Sequence, residues 1–170
     1  MLHLRKANRN DTEKEYLFVR DIPEDENGYI NPYHGISREA FDEALGVIIA
    51  NSEGKLLPEG YVPATTYYLW DDDTIIGEFQ LRHHLCESLV NGSGHIGYYI
   101  TPQFRGKGYA SAGLKLLIGE AVKVVPEDEI YLHVFRSNPA SLRVMLKNGG
   151  IIHHETADGY FVRIPKYPPI

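Results

Sequence analysis

GHIGYYITPQFRGKGYASAGLKLLIGEAVKVV (94–125) decides how the rest of the chain is read. Gly94–Thr101 is apolar and aromatic, a run of strand character. Pro102–Gly108 is a tight loop carrying two glycines and two cations, Arg105 and Lys107. From Tyr109 the apolar residues recur at helical spacing: Leu114, Leu117, Ile118, Ala121 and Val125. A strand therefore feeds a glycine-rich turn, and the turn opens a helix. The first turn of a helix leaves backbone N–H groups without intrahelical partners at the positive end of its dipole, a receptor for a phosphate or pyrophosphate. Gly106 and Gly108 let the backbone close on the anion with no Cβ in the way. An ordinary strand-to-helix loop also carries glycine and a cation; the strand before this one and the clean helix after it favour an anion site. Two nucleotide motifs are excluded. A phosphate-cradling P-loop needs Ser or Thr where Gly108 follows Lys107, and the dinucleotide pattern GxGxxG fails at Ser111.

Composition bounds the rest. A chain of 170 residues reads as one domain, 1–170, with enough length for a real core. It is 43% hydrophobic and 24% charged, as ordinary globular proteins are, and no apolar run approaches the roughly 20 residues of a membrane span. MLHLRKANRN lacks the apolar core of a signal peptide. The single cysteine, Cys86, rules out an internal disulfide and fits a reducing cytoplasm, the expected location. A net charge of −6 argues against nucleic acid or an anionic membrane as partner and is compatible with a cationic amine substrate.

In chain order, LHLRKA (2–7) alternates as a strand. Asn10 and Glu13 have the spacing of a capping pair for a helix running to about Asp21, which Pro23 stops. EDENGYINPYHG (24–35) reads as a polar loop. Ser37 caps a second helix with an inner stripe of Phe41, Leu45, Ile48 and Ile49. ATTYYLW (64–70) and TIIGEFQLRH (74–83) pair across a turn at Asp71–Asp73, and 84–93 reads as a loop. After the central helix come a strand at 129–135, a helix at 139–148, and strands 151–156 and 160–165 joined through Asp158-Gly159, a strong hairpin signal. KYPPI (166–170) is a short tail packed on the body. The sum, β-α-α-β-β-β-α-β-α-β-β, is α/β: a mixed twisted sheet flanked by helices.

The central stretch resembles the GNAT acyl-CoA N-acyltransferases. Gln103, Gly106 and Gly108 match that family's Gln/Arg-x-x-Gly-x-Gly/Ala signature, and SNPASLRVMLKNGG (137–150) is similar to its Asn-x-x-Ser…Lys-x-Gly helix. The resemblance covers 64–165 by motif and 1–63 by element order. LPEGYVPATTYYLW, GEFQLRHHL and GHIGYYI together are similar to a bacterial branch of acetyltransferases without an assigned substrate. It implies the GNAT fold, with the central strand and the one after it splayed at the cofactor cleft, and acetyl transfer from acetyl-CoA, the co-substrate, to an amine.

That chemistry needs four parts. The resemblance implies a cofactor site built from Ile100, Thr101, Gln103, Phe104, Arg105, Gly106, Lys107, Gly108, Tyr109, Ala110, Asn138 and Ser141, in which Asn138 also reads as the N-cap before Pro139. A general base must deprotonate the amine. His95 lies near the start of the central strand, where several family members place a Glu, and it reads equally as a hydrogen-bonded strand histidine. Glu78 is its competitor. A backbone N–H near Ile100 suits the oxyanion. Many family members protonate the leaving thiolate with a Tyr on the late helix; Met145 stands there, with Tyr98 or Tyr99 as substitutes.

The remaining polar residues carry less. His83-His84 and His153-His154 are adjacent on strands and so expected on opposite faces, which excludes chelation; no metal is expected. The Asp71–Asp73 triplet reads as a solvated turn. Cys86 has no His/Asp frame for a nucleophile. Arg82, His83, Tyr29, Tyr33, His34 and Trp70 are candidates for lining the acceptor mouth, Trp70 more for packing. The leading expectation is an N-acetyltransferase acting on a small-molecule or peptide amine. A sensor that kept the cradle and lost catalysis, and an unrelated phosphate-ligand enzyme, stand beside it. Exposed sheet edges allow a homodimer.

Overall fold

The computed structural model describes residues 1–167, so the end of the expected 166–170 tail lies outside the described residues. β1 (Leu2–Lys6) leads through a 3-10 turn at Arg9–Asp11 into α1 (Thr12–Asp21). The cap differs from the expected Asn10–Glu13 pair. Asn8 accepts the amides of Asn10 and Asp11, and Glu15 Oε1 accepts the Asn8 amide at 3.0 Å. The 3-10 turn begins the helical path earlier, which moves both capping partners. The 24–35 stretch is not a plain loop: β2 (Asp25–Glu26) and β3 (Tyr29–Ile30) pair around Asn27 and Gly28, whose φ of 54° and 81° make the tight turn that Asn-Gly favours.

Ser37 Oγ caps α2 (Arg38–Ser52), which buries Phe41, Leu45 and Ile48. β4 (Ala64–Asp71) and β5 (Thr74–Arg82) form the long hairpin. Its acidic turn is tied down by ion pairs: Asp72 to the chain's amino group and Asp73 to Lys14 at 2.5 Å. A single turn, α3 (Glu87–Val90), interrupts the expected loop before β6 (Ile96–Ile100). A 3-10 turn at Pro102–Phe104 then leads to α4 (Tyr109–Val124), followed by β7 (Glu129–Phe135), α5 (Pro139–Lys147), β8 (Ile151–Glu155) and β9 (Gly159–Pro165).

The strands pair antiparallel in two main sheets, ordered β1-β4-β5-β6 and β7-β9-β8. Just ahead of β6 an isolated bridge joins Gly94 to Leu132 of β7; beyond it, among the described residues, no ladder joins the two strands and they diverge. Gly94 sits at that bridge with φ of +66°, and a Cβ there would run into Tyr131 O, so only glycine permits the contact. The expected α/β architecture and its splay are therefore both present, but in place of one mixed sheet the described strands form two antiparallel sheets, because the chain parts at the β6–β7 gap. One face of the larger sheet packs Leu69, Phe79, Leu81, Ile96 and Ile100 against Leu114, Leu117 and Ala121 of α4. The other packs Tyr68, Trp70 and Ile75 against Val19, Phe41 and Leu45 of α1 and α2. Among the described residues, no helix is long and apolar enough to cross a membrane.

Glu15 is an unusual member of that second layer. It is fully buried, its Oε2 has no partner, and burial pushes its carboxyl from 4.5 up to about 8. Between those values the native state holds a proton that the unfolded chain has lost. Stability from this site is thus complete below pH 4.5 and is lost as pH rises through about 8. Glu15→Gln mimics the protonated form. We expect it to match the wild type at pH 5 and to exceed it at pH 9 by on the order of a few kcal/mol, read as a higher Tm. Parallel pH–Tm curves for the two proteins would place the proton elsewhere.

Candidate active site

A single cleft of about 1480 Å³ runs from the start of α4 through the β6–β7 gap to the β2–β3 hairpin. At one end, Gly106 and Gly108 have φ of +74° and +84°, and a Cβ on either would meet nothing within 4 Å. The amides of residues 106–110 make no hydrogen bond to another described residue. Five successive N–H groups in the loop and first turn of α4 are therefore left without a partner among the described residues, which fits a diphosphate. The turn is held from behind. Tyr109 Oη donates to Asp71 Oδ2 at 3.0 Å, and Asn148 Nδ2 donates to Ser111 O at 3.2 Å.

Arg105 contributes differently from its motif neighbours. Its Nε donates to Ile100 O at 2.8 Å, and its Nη1 and Nη2 form a bidentate pair with Glu26 at 2.8 and 2.9 Å. The guanidinium holds the β2–β3 hairpin to the α4 turn, and its charge is already answered. Lys107 remains exposed, its ammonium 5.8 Å from the Phe104 ring.

The gap itself is lined by β6. Arg82 N–H bonds His95 O and Thr101 N–H bonds Ile76 O, which sets the alternation against β5. The amides of Ile96, Tyr98 and Ile100 consequently turn toward the gap, away from β5. Side chains alternate too. Tyr98 stacks on Phe79 and reaches α5, where its hydroxyl meets Ser141 Oγ at 2.5 Å; burial pushes its pKa up to about 12. Tyr99 faces the hairpin, 5.7 Å from the Tyr29 ring and 5.2 Å from the Arg105 guanidinium. Asn138 caps α5 by accepting the Ser141 amide at 3.2 Å and also lines the cleft, as does the buried Met145.

The two candidate bases are placed very differently. His95 is completely buried and does not line the cleft. Its Nδ1 accepts the Tyr131 amide at 2.8 Å, so its N–H is on Nε2, facing Glu127 Oε2 at 3.0 Å. Burial holds its pKa below the usual value. Both nitrogens are occupied in pinning β6 to β7 at the point where they part. Glu78 is also buried, which pushes its pKa up, but it connects to the cleft: Tyr29 Oη donates to Glu78 Oε1 at 2.7 Å, and Tyr29 lines the cleft wall.

Of the residues expected from the sequence, Tyr99, Ile100, Phe104, Arg105, Gly106, Gly108, Tyr109, Ala110, Asn138 and Ser141 border this one cleft, whereas His95, Glu78, Thr101, Gln103 and Lys107 do not. Thr101 spends its hydroxyl on Ile76 O at 3.2 Å. Among the described residues, no three His, Cys, Asp or Glu side chains are grouped to hold a metal ion. His83 pairs with Thr65 Oγ1 at 2.7 Å. The premise that His153 and His154 point apart fails: a register shift between Ile152 and His154 turns the rings together, Nδ1 to Nδ1 at 2.8 Å.

A family model for the acetyltransferase (GNAT) domain matches residues 2–151. The chain belongs to the GNAT acetyltransferase family. No curated protein matches its sequence. Solved structures similar to this GNAT protein include the spermidine N-acetyltransferase of Vibrio cholerae in complex with CoA and spermine (18% identity, 97% of this chain and 95% of that one, TM-score 0.66). The N-acetyltransferase PseH of Campylobacter jejuni with acetyl coenzyme A is similar at 19% identity over 98% and 100% of the chains, TM-score 0.63. RimL, a ribosomal L7/L12 alpha-N-protein acetyltransferase with coenzyme A, is similar at 18% over 97% and 94%, TM-score 0.65. At these identities the likeness is one of fold. Glu26, Glu127 and Asn148 also position this site in the GNAT chain, and no motif marks them. Each acts across a long separation, and the one local signal was Asn27-Gly28, which announces the hairpin that carries Glu26 and Tyr29.

Proposed function

We propose that this GNAT protein moves an acetyl group from acetyl-CoA to a primary amine by direct attack in a ternary complex. The observation that carries this reading is the continuity of one cleft, from the unpartnered amides of 106–110, past the gap-facing β6 amides, to the Tyr29–Glu78 pair. The amides of 106–110, with Phe104 and Asn138 beside them, hold the diphosphate end of the donor. Acetyl-CoA supplies the thioester.

A primary alkylamine is protonated near neutral pH. Tyr29 meets it: the phenol oxygen takes the ammonium proton while its own proton passes to Glu78 Oε1. Burial brings the Glu78 pKa closer to the working pH, where a general base is most effective. His95 is a structural pin, and the base is Glu78. Attack on the carbonyl carbon moves charge onto its oxygen, and the Ile100 amide donates to that oxygen. As the carbon–sulfur bond breaks, the electron pair leaves with sulfur, and the proton shed by the attacking nitrogen ends there. Tyr98, at about 12, is too weak an acid to protonate a thiolate of roughly 8.5 outright; with Ser141 it stabilises the thiolate by hydrogen bonding, in the place of the absent late-helix Tyr.

Acetyl-CoA is expected to raise the Tm, with ATP and NAD leaving it unchanged, and thiol release from acetyl-CoA to depend on added amine. A shift with ATP or NAD alone would point to another phosphate ligand. Binding of acetyl-CoA without turnover over a broad amine panel would support the sensor reading.

A further inference from the structure

Beyond Tyr29, the acceptor arm of the cleft is shaped by one face of β5. Glu78, Gln80 and Arg82 alternate along it, and Gln80 and Arg82 line the wall. Arg82 is the unusual member. It is half-buried, and no carboxylate lies within ion-pair distance among the described residues, whereas Arg105, the other guanidinium near this arm, is held bidentately by Glu26. Arg82's side chain donates one hydrogen bond, Nη1–H to Gly94 O at 3.2 Å, and its other donors have no acceptor among the described residues. A guanidinium keeps its charge at any working pH, so a half-buried one lacking a counterion on a cleft wall is placed to bind an anionic ligand. Burial indeed depresses its pKa.

The acids near the arm point the same way. Glu26 is neutralised by Arg105, and Glu78 sits behind the Tyr29 hydroxyl. The other carboxylate on the cleft wall, Asp158, lies in the β8–β9 turn across the gap. A polyamine would bring a second and third positive charge toward Arg82, where, among the described residues, no carboxylate lines the cleft wall on β5.

We infer that the acceptor carries an anionic group, a carboxylate or a phosphate, in addition to its amine, and that Arg82 binds that anion while Tyr29 and Glu78 receive the amine. This rests on the acetyl-transfer reading above. Residues 78 and 82 are roughly 13 Å apart along the strand. The Arg82 guanidinium is turned toward Gly94, at the entry to β6 and away from Tyr99. Amine and anion are therefore separated by several bonds in the acceptor.

The test uses the whole chain with saturating acetyl-CoA and acceptors matched in pairs: 6-aminohexanoate against its amide, glucosamine 6-phosphate against glucosamine, and spermidine as the polycation. One charged member is expected to exceed its neutral partner about 10²-fold in kcat/KM, mainly through KM, as loss of a charge-assisted contact predicts. Which pair shows it separates carboxylate from phosphate. Arg82→Gln removes the preference, and Arg82→Lys keeps part of it. Equal rates within both pairs, faster turnover of spermidine, or a preference that survives in Arg82→Gln would overturn the inference. If Arg82→Gln fails to fold, the wild-type preference decides alone. If acetyl-CoA binds but no amine turns over, it is the transfer reading that fails. Arg82 is then judged by binding: with the cradle filled by CoA, 6-acetamidohexanoate or orthophosphate raises the Tm of the wild type and not of Arg82→Gln. No shift in either protein overturns the site.

Discussion

Gly108→Asp is expected to weaken CoA binding by about 10²-fold or more while leaving a folded protein. The position takes φ of +84°, so any side chain costs roughly 1–2 kcal/mol of backbone strain. Space is not the obstacle, because a Cβ there meets nothing within 4 Å. What changes is charge. The new carboxylate would stand at a helix N-terminus among amides that have no other acceptor, filling the anion site from within and repelling phosphate. Gly108→Ala separates the two effects: it pays the strain without the charge, and should lose stability while keeping most of the affinity. Calorimetric titration with CoA reads both variants. Wild-type affinity in Gly108→Asp would move the cofactor to another part of the cleft.

Glu78→Gln is expected to cut kcat by about 10²- to 10⁴-fold, the range of a lost general base. The amide oxygen can still accept from Tyr29 across the 2.7 Å contact, so the hairpin keeps its place and the Tm stays close to that of the wild type. The pH profile adds a second readout. The base works deprotonated, and burial raises the Glu78 pKa, so wild-type activity falls as pH drops through that raised value; in Glu78→Gln this limb disappears. Tyr29→Phe breaks the same path, and the double variant should be little worse than either single one, as expected of groups that act in series. His95→Ala is the contrast. It strands the Tyr131 amide and Glu127 at the β6–β7 junction, so it lowers the Tm, with turnover per folded molecule staying near wild type. A large kcat loss in a stable His95→Ala, beside full activity in Glu78→Gln, would reverse the two assignments.

What the amino-acid sequence determined by itself was local. The strand–turn–helix at 94–125 was legible because a two-residue period, a glycine pair and a 3.6-residue period follow one another within a few turns of chain. The Ser37 cap and the β8–β9 hairpin were legible for the same reason: each is settled by groups a few residues apart. Where two local signals compete, the nearer pattern does not decide the structure. Asn8, two residues before Asn10, takes the cap, and a register shift between Ile152 and His154 undoes the expected alternation of His153 and His154. The sequence motif marks a stretch of the cleft wall, Phe104–Gly106 and Gly108–Ala110, but which partner each side chain meets is set by the tertiary structure. Arg105 meets Glu26 across 79 residues, Tyr29 meets Glu78 across 49, and His95 meets Glu127 across 32. These pairings strap the β2–β3 hairpin to Arg105, join Tyr29 of the cleft wall to Glu78, and occupy both His95 nitrogens. A side chain's chemistry follows from its solvation and its partners, and for buried polar groups both are set by chain segments that no local pattern brings together.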